Sequence, residues 1–295
     1  MLVSNDSIKH VFIGAAIVKE EKGKDWKMPD VSVCSDEESS WDTIWKWEWF
    51  SKGTMLRSSW REEEKDVIKA LHSHLSKLGV KSILDCSCGL GFKTILLAEL
   101  GYEVEGSDAS SNAVRYAAKV AKKDEVNVRF FQSRWEELGA KCKRKFDCVF
   151  SDAFDWIRTR ESLEASAKGI YSVLDKGGLF VFGVPIAGSK NTKRELSKFA
   201  ENVWRKQQRF EVFRPYEKDG QKLTIISVYD KVKGGILENR IHLIEENGIL
   251  RAEIALMLDL YKWTWADYTK VLKKAGFRKV YDFEEKGTSH NVAVK

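Results

Sequence analysis

The sequence has few of the residues that mark disordered, disulfide-bonded or membrane-embedded proteins. Its 295 residues include only three prolines and no low-complexity stretch, which argues against a long disordered linker. No apolar run reaches about 18 residues and the N-terminus lacks a signal-peptide pattern, so no membrane segment is expected. The cysteines show no paired framework, which predicts a reducing, cytoplasmic environment. They are Cys34, Cys86, Cys88, Cys142 and Cys148.

Signals for a metal or for nucleic acid are also weak. The five histidines are scattered and Cys86-x-Cys88 lacks a second pair, so we predict no metal site. The net charge is +6, but basic and acidic residues are mostly interleaved, as on a solvated surface. Basic clusters such as residues 141–145 have no aromatic platform among them, which makes a nucleic-acid partner unlikely. The 43% of apolar residues is typical of a soluble globular protein with a sizeable core.

The most informative stretch is residues 81–108, which forms a strand, a glycine turn, a helix, a second strand and an acid. The first strand ends at Asp85, and the turn that follows carries Gly89 and Gly91. The second strand leads into Asp108. Glycines allow the backbone to approach a ligand closely, and an acid at the end of the second strand can accept both hydroxyls of a ribose.

The spacing within this unit discriminates between nucleotide cofactors. A dinucleotide site has a third glycine three residues after the second, but here that position is Thr94. Asp85 precedes the turn, where it would repel a phosphate and attract a cation. S-adenosylmethionine is the nucleoside cofactor that lacks phosphate and carries a cationic amino-acid tail, so we predict that it binds here.

Strand and helix patterns alternate from residue 82 to residue 184. Near-continuous apolar runs such as Val128–Phe131 and Leu179–Phe182 are expected for strands buried on both faces. Repeated strand–helix units predict an α/β fold with an open parallel sheet and helices on both faces. The predicted strands are Ser82–Cys86, Tyr102–Gly106, Asn127–Gln132, Phe146–Phe150 and Gly178–Val184, and the predicted helices are Thr94–Leu100, Asn112–Lys123 and Glu161–Leu174.

The pattern changes after Pro185. A basic helix leads into alternating segments separated by Asp219-Gly220, Gly234-Gly235 and Asn247-Gly248, which favour tight hairpins. We therefore predict that residues 189–262 form an antiparallel β lobe inserted into the α/β domain. A last helix begins at a capping box from Thr264 and ends at Gly276.

Residues 1–61 form an N-terminal segment that is polar up to residue 40 and then rich in tryptophan. Trp41, Trp45 and Trp49 are four residues apart and would share one face of a helix over Trp41–Phe50. This segment is predicted to fold over the ligand as a lid, and permanent packing on the sheet's helices remains the alternative. Residues 62–295 would form the main domain.

With these motifs in view, the chain resembles class I S-adenosylmethionine-dependent methyltransferases, and within them the glycine/sarcosine N-methyltransferase type. The resemblance spans roughly residues 41–294 and rests on the motifs Ile83-Leu-Asp-Cys-Ser-Cys-Gly-Leu-Gly91, Gly106-Ser-Asp-Ala-Ser110, Arg134-Trp135 and the helix that begins at Trp263. It implies a Rossmann-like sheet with an antiparallel insertion and an N-terminal helical lid.

The resemblance also implies roles for individual residues. Asp152, after the fourth strand, matches the position nearest the transferred methyl group, where a carboxylate can orient an amine or accept its proton. Arg57 or Arg61 would pair with the cofactor's carboxylate. Trp156 and, from the inserted lobe, Tyr216 would line the acceptor side. The residues implied at the cofactor are Arg57, Arg61, Asp85, Ser87, Gly89, Gly91, Asp108, Ala109, Ser133, Arg134, Trp135 and Asp152.

One departure from the family concerns the acceptor. The family's arginine that clamps the acceptor's carboxylate falls on or near Pro185 here, which argues against glycine as the acceptor unless Arg214 or Arg240 from the lobe replaces the clamp. We expect a cytoplasmic enzyme that methylates a small molecule, an amine above all. An RNA- or protein-directed methyltransferase and a non-catalytic cofactor-binding protein remain alternatives, and a homo-oligomer stays open.

Overall fold

A computed structural model of the protein describes residues 30–52, 58–285 and 288–295. Elements are numbered in chain order. The larger sheet has seven strands. They are β2 (Ser82–Asp85), β3 (Glu103–Asp108), β4 (Arg129–Gln132), β5 (Phe146–Ser151), β6 (Leu174–Phe182), β12 (Lys279–Glu285) and β13 (Thr288–Val294).

The order of strands across this sheet is β12-β13-β6-β5-β2-β3-β4. Strands β4, β3, β2, β5 and β6 are parallel, whereas β13 runs antiparallel to β6 and pairs with β12. The chain order reverses between β2 and β5. In open α/β sheets, ligands bind in the crevice outside the carboxyl ends of the strands at such a reversal.

Helices cover both faces of the sheet, as the alternating pattern predicts. Leu84 and Val149 pack on one face in a cluster with Ile170 and Val271. Their chain neighbours, such as Ile83, turn to the other face. The helices of the described residues are α1 (Glu37–Ser51), α2 (Ser58–Lys77), α3 (Phe92–Glu99), α4 (Ser111–Lys123), α5 (Leu138–Lys141), α6 (Arg160–Val173), α7 (Lys193–Lys206) and α8 (Trp265–Ala275). None of them is long and apolar enough to cross a membrane.

A second sheet corresponds to the predicted antiparallel lobe. Its three long strands pair as a continuous meander. The turns at Asp219-Gly220 and Asn247-Gly248 have two residues each, all in the left-handed region that such hairpins require. The remaining turn lies at Lys233-Gly234 and not at Gly234-Gly235, because Gly235 is already paired with Val232. The strands are β7 (Phe210–Val212), β8 (Tyr216–Lys218), β9 (Gln221–Val232), β10 (Gly235–Glu246) and β11 (Ile249–Leu260).

The described part of the N-terminal segment differs from the prediction for residues 30–40. Strand β1 (Asp30–Val33) pairs in parallel with β11 at the edge of the lobe. Asp36 then caps α1, which begins at Glu37, four residues before the predicted start. The early start follows from the cap, since the side chain of Asp36 accepts a hydrogen bond from the backbone of Ser39 at 2.8 Å.

Helix α1 lies between the lobe and the α/β domain. On one side Trp47 is buried against Leu223 and Ile244 of the lobe. On the other side Trp45 and Trp49 pack with a cluster that includes residues of α3 and α4. The helix therefore joins the two sheets, and its tryptophans reach the end of the parallel strands.

Candidate functional site

A cavity of about 660 Å³ opens at the carboxyl ends of β2, β3 and β5. It lies at the chain reversal, where this kind of sheet binds its ligands. Its walls come from the glycine turn, from the segments after β3, β4 and β5, and from α1. The described lining residues include Asp36, Glu37, Glu38, Trp41, Trp45, Glu64, Asp85, Ser87, Gly89, Lys93, Asp108, Ala109, Ser133, Arg134, Trp135, Glu136, Asp152, Trp156 and Arg158.

The glycine turn is tied to the acid at the end of the second strand. Gly89 and Gly91 have φ of 51° and 81°, a backbone conformation that favours glycine. The backbone N–H of Gly89 donates to Oδ2 of Asp108 at 2.9 Å, and that of Ser110 donates to Oδ1 at 2.9 Å. Each oxygen keeps a lone pair for a ligand hydroxyl. Burial raises the pKa of Asp108 to about 6, although both N–H donors oppose the shift.

Asp85 is almost completely enclosed, with 1% of its surface exposed. The hydroxyl of Thr94, which stands where a dinucleotide site has its third glycine, donates to Oδ2 of Asp85 at 2.7 Å. Burial, reinforced by the nearby Asp152 carboxylate, raises the pKa of Asp85 to about 7. A cation at this end of the cavity would favour the ionised form.

Asp152 belongs to a polar cluster on the same side of the cavity. The hydroxyl of Ser87 donates to Oδ1 of Asp152 at 3.3 Å, and Lys93 forms an ion pair with Oδ2. Nζ of Lys93 also lies 2.7 Å from a carboxylate oxygen of Glu64. Burial alone would lower the pKa of Lys93, but the carboxylates of Asp152 and Glu64 raise it above its usual value. The ammonium group therefore stays charged.

Three tryptophans form an aromatic wall opposite this cluster. The rings of Trp41 and Trp45 are stacked with their centroids 5.7 Å apart, and Trp156 meets Trp41 edge-on at 5.4 Å. Trp45 also covers the glycine turn, because a Cβ at Gly89 would lie 3.0 Å from its ring. Two of the three tryptophans on the predicted face of α1, Trp41 and Trp45, thus line the cavity, whereas Trp49 stacks on Tyr116 of α4.

Polar contacts hold α1 over the cavity. Glu38 pairs with Arg134, and Glu37 pairs with Arg158 at 3.0 Å. At the next turn of the helix, Asp42 accepts hydrogen bonds at the N-terminus of α4. They come from Ser110 Oγ at 2.6 Å, from the backbone N–H of Asn112 at 2.8 Å and from its Nδ2 at 2.7 Å.

The cavity is acidic although the chain as a whole is basic. Among the lining residues that the structure describes, eight carry carboxyl groups and three carry cationic side chains. The acids are Asp36, Glu37, Glu38, Glu64, Asp85, Asp108, Glu136 and Asp152, and the cations are Lys93, Arg134 and Arg158. Such a site favours a ligand with net positive charge.

A family model described as the methyltransferase domain matches residues 83–178, which run from β2 into β6 and include the glycine turn, Asp85, Asp108 and Asp152. Residues 83–178 therefore form a methyltransferase domain. This confirms the predicted family resemblance and cofactor.

Curated relatives of the methyltransferase domain align over part of their length. A protein of Geobacillus sp. (strain WCH70) that is named as a methyltransferase is 31% identical over 138 residues, which are 46% of this chain and 54% of that protein. The glycine/sarcosine N-methyltransferase of Aphanothece halophytica is 28% identical over 143 residues, which are 48% of this chain and 49% of the relative. The chain thus spans about half the length of these relatives.

Solved structures share the fold over most of the chain. The sugar N-methyltransferase of Streptoalloteichus sp. ATCC 53650 has a TM-score of 0.57 and 15% identity, covering 94% of this chain and 98% of its own. An amino pentose methyltransferase of Micromonospora echinaspora, solved with S-adenosylmethionine bound, has a TM-score of 0.53 and 17% identity, covering 85% and 96%. The predicted α/β fold class is confirmed.

The residues of the methyltransferase domain fit its cofactor. The cavity volume lies within the range of about 300–1,000 Å³ found for small-molecule sites. Asp108 would hold the ribose hydroxyls, and Asp85 lies where the cationic methionine end would be stabilised. Ala109, Ser133 and Trp135 lie beyond Asp108, at the end left for adenine. When bound, S-adenosylmethionine supplies an activated methyl group.

Most of the predicted site residues come together at this cavity. Gly91 lies behind the turn, where it is the N-cap residue of α3 and lies close to Ala117 and Phe130. Arg57 lies outside the described residues, and so does the side chain of Arg61. The residues that the structure brings together are Asp85, Ser87, Gly89, Asp108, Ala109, Ser133, Arg134, Trp135, Asp152 and Trp156.

Tyr216 does not reach the cavity, contrary to the prediction. Its ring packs edge-on against Phe50 at 5.4 Å, and it lines a separate pocket of about 330 Å³ in the lobe. Arg214 and Arg240 line that same pocket, so neither replaces the missing acceptor clamp. The cause is the hairpin between β8 and β9, which places Tyr216 opposite Leu223.

Sequence reasoning missed several residues of the cavity, above all Lys93, Glu64 and Arg158. Glu64 lies within α2, six residues after the first residue of that helix, Ser58. Lys93 follows the glycine turn by two residues, and this position is the signal that could have identified it.

Proposed function

We propose that the protein transfers the methyl group of S-adenosylmethionine to a small-molecule amine, with Asp152 as the residue that acts on the acceptor. The observation that carries the proposal is the position of Asp152, which lines the acidic cavity one residue beyond β5. Its carboxylate is directed by Ser87 and Lys93, and a third of its side chain is exposed. It is therefore accessible to a second ligand.

The charge and the walls of the cavity support an amine. An amine that arrives as a cation is attracted by the excess of carboxyl groups. The faces of Trp41, Trp45 and Trp156 also favour cations, by roughly 0.5–2 kcal/mol for each well-placed ring. The curated relatives named glycine/sarcosine N-methyltransferases act on amine nitrogen as well.

The chemistry requires little beyond positioning. S-adenosylmethionine would supply the methyl group and leave as S-adenosylhomocysteine, and an amine that arrives as a cation would first have to give up the proton that occupies its lone pair. Asp152 would orient the nitrogen and accept a hydrogen bond or the proton itself. The wall formed by α1 would keep water away from the reacting groups.

The acceptor proposed here does not need a carboxylate. Pro185 is not among the described lining residues, and the carboxyl groups among those residues outnumber the cationic side chains by eight to three, which disfavours an acceptor that carries a carboxylate. Glycine should therefore be a poor acceptor, and a larger amine without a carboxylate a better one.

The test is the release of S-adenosylhomocysteine in the presence of glycine, sarcosine, amino sugars, polyamines, aromatic amines, phenols and bulk RNA. The wild type should turn over with at least one amine. Asp152→Ala should reduce kcat by about 10²-fold or more without weakening cofactor binding, because it removes a group that acts on the acceptor. The matched control is Glu99→Ala, which changes an exposed acid at the far end of α3.

Two results would overturn the proposal. Full activity of Asp152→Ala on the best amine would show that the acceptor lies elsewhere. Turnover with RNA alone would favour the macromolecular alternative, and in that case binding should fall steeply as salt is raised.

A further inference from the structure

Lys93 lies at the methionine end of the cavity. It is the second residue of α3, its side chain is 18% exposed, and it lines the cavity beside Ser87. An ammonium group has three N–H donors; that of Lys93 donates to Asp152 and forms an ion pair with Glu64 at 2.7 Å. One donor remains for a ligand.

The cofactor brings a carboxylate into a cavity that is already rich in carboxylates. A partly buried anion needs a cationic partner, because desolvation without one is costly. The sequence suggests Arg57 or Arg61 for this role. Among the described side chains that line the cavity, the candidates are Lys93, Arg134 and Arg158.

Position separates these three candidates. Arg134 follows β4 at the end of the cavity assigned to adenine, and its Nε donates to Glu38 at 2.8 Å. Arg158 holds Glu37 of α1. Only Lys93 shares a partner with the glycine turn, since Ser87 and Lys93 both bind Asp152.

We infer that Lys93 binds the carboxylate of the cofactor's methionine moiety, the role that the family resemblance gives to an arginine before the first strand. Glu64 and Asp152 hold the ammonium group in place, and the ligand's carboxylate becomes its third partner. The inference does not depend on which acceptor is methylated, so it can fail while the proposed function stands.

The experiment is calorimetric binding of two ligands that differ only in the carboxylate. They are S-adenosylhomocysteine and its decarboxylated analogue, S-adenosyl-3-thiopropylamine. Lys93→Met should lower the affinity for S-adenosylhomocysteine by roughly 10- to 100-fold, as expected for loss of a charge-assisted pair. The affinity for the analogue should fall by no more than about twofold. Lys93→Arg, which keeps the charge, should restore most of the affinity for S-adenosylhomocysteine.

Arg57→Met and Arg61→Met are the matched controls. If either of them, and not Lys93→Met, selectively weakens the ligand that has the carboxylate, the inference is wrong. Equal weakening of both ligands by Lys93→Met would also overturn it, because the lysine would then serve only the local structure.

Glu64→Gln keeps the test decisive if Lys93→Met does not fold. Removing one carboxylate that competes for Lys93 should increase the preference for S-adenosylhomocysteine over its analogue by a few-fold. An unchanged or reduced preference would contradict the inference.

Discussion

The two acids that the glycine motif singles out, Asp85 and Asp108, both have a raised pKa because they are buried. The folded chain therefore binds more protons at these sites than the unfolded chain does between about pH 4 and pH 7. Ionisation of these acids opposes folding; this cost is absent below about pH 4, grows between about pH 4 and the folded pKa values of about 6 and 7, and is constant above them. A cationic ligand beside these acids offsets the cost of ionising them, so binding of such a ligand also stabilises the folded chain.

This linkage predicts that cofactor affinity depends on pH. A cation beside Asp85 favours the ionised carboxyl, so binding releases a proton from the fraction that is protonated. The affinity for S-adenosylmethionine should rise about tenfold from pH 6 to pH 8, as expected when a group with a pKa of about 7 ionises on binding. Calorimetry in two buffers of different ionisation enthalpy measures the proton release. Asp85→Asn should abolish that release, and a release that persists in this variant would contradict the assignment.

A second prediction for a single residue concerns Asp108. Asp108→Asn keeps the size of the side chain but loses the charge and an acceptor for the ribose hydroxyls. It should weaken S-adenosylhomocysteine binding by about 1.5–3 kcal/mol, the usual contribution of a hydrogen bond to a charged group. The control is Glu136→Gln at the exposed rim. Unchanged affinity in a folded Asp108→Asn protein would refute the ribose assignment.

The sequence predicts the site residues whose spacing lies within one short motif, and it does not predict those whose role depends on distant residues. The positions of Asp85, Gly89 and Asp108 are set by spacing within one strand–turn–helix–strand unit, and the structure brings them together. The role of Lys93 depends on Glu64 and Asp152, 29 residues before it and 59 after it in the sequence. No local pattern distinguishes such a lysine from a surface residue of a helix.

At the scale of elements, the helices and the parallel strands were predictable because their apolar periodicity is strong. Strand β1 was not, since three of its four residues are exposed and its place is set by pairing with β11, more than 200 residues away. Helix α1 was predicted from its tryptophans. Whether it opens as a lid stays a prediction.

The link between α1 and α4 gives a test of that prediction. Asp42→Asn removes the charge that accepts hydrogen bonds at the N-terminus of α4, and it should lower the free energy of unfolding by about 1–2 kcal/mol. Hydrogen exchange of residues 37–51 should become faster in the variant and slower in the wild type once S-adenosylhomocysteine is added. Asp66→Asn, an exposed change on α2, is the control. Exchange in α1 that does not respond to the ligand would favour permanent packing.

At the scale of the whole molecule, composition alone is misleading about the site. The chain as a whole has a net charge of +6, whereas the described lining of the cavity contains eight carboxyl groups and three cations. These acids come from α1, from α2 and from the segments after several strands. Only the fold reveals that they share one space.

The contrast between a basic chain and an acidic cavity predicts how salt changes the affinities for S-adenosylmethionine and S-adenosylhomocysteine. S-adenosylmethionine differs from S-adenosylhomocysteine by the methyl group and its positive charge, so an acidic cavity attracts it more strongly at low salt. Between about 20 and 300 mM NaCl the Debye length falls from roughly 20 Å to about 6 Å, which screens the attraction from the more distant acids. The affinity for S-adenosylmethionine should therefore fall by a few-fold while that for S-adenosylhomocysteine stays nearly constant. Glu136→Gln, which removes one acid of the rim, should reduce the difference. Equal salt dependence of both ligands would mean that the excess of carboxyl groups is neutralised before the cofactor arrives, and the electrostatic argument for a cationic acceptor would then fail as well.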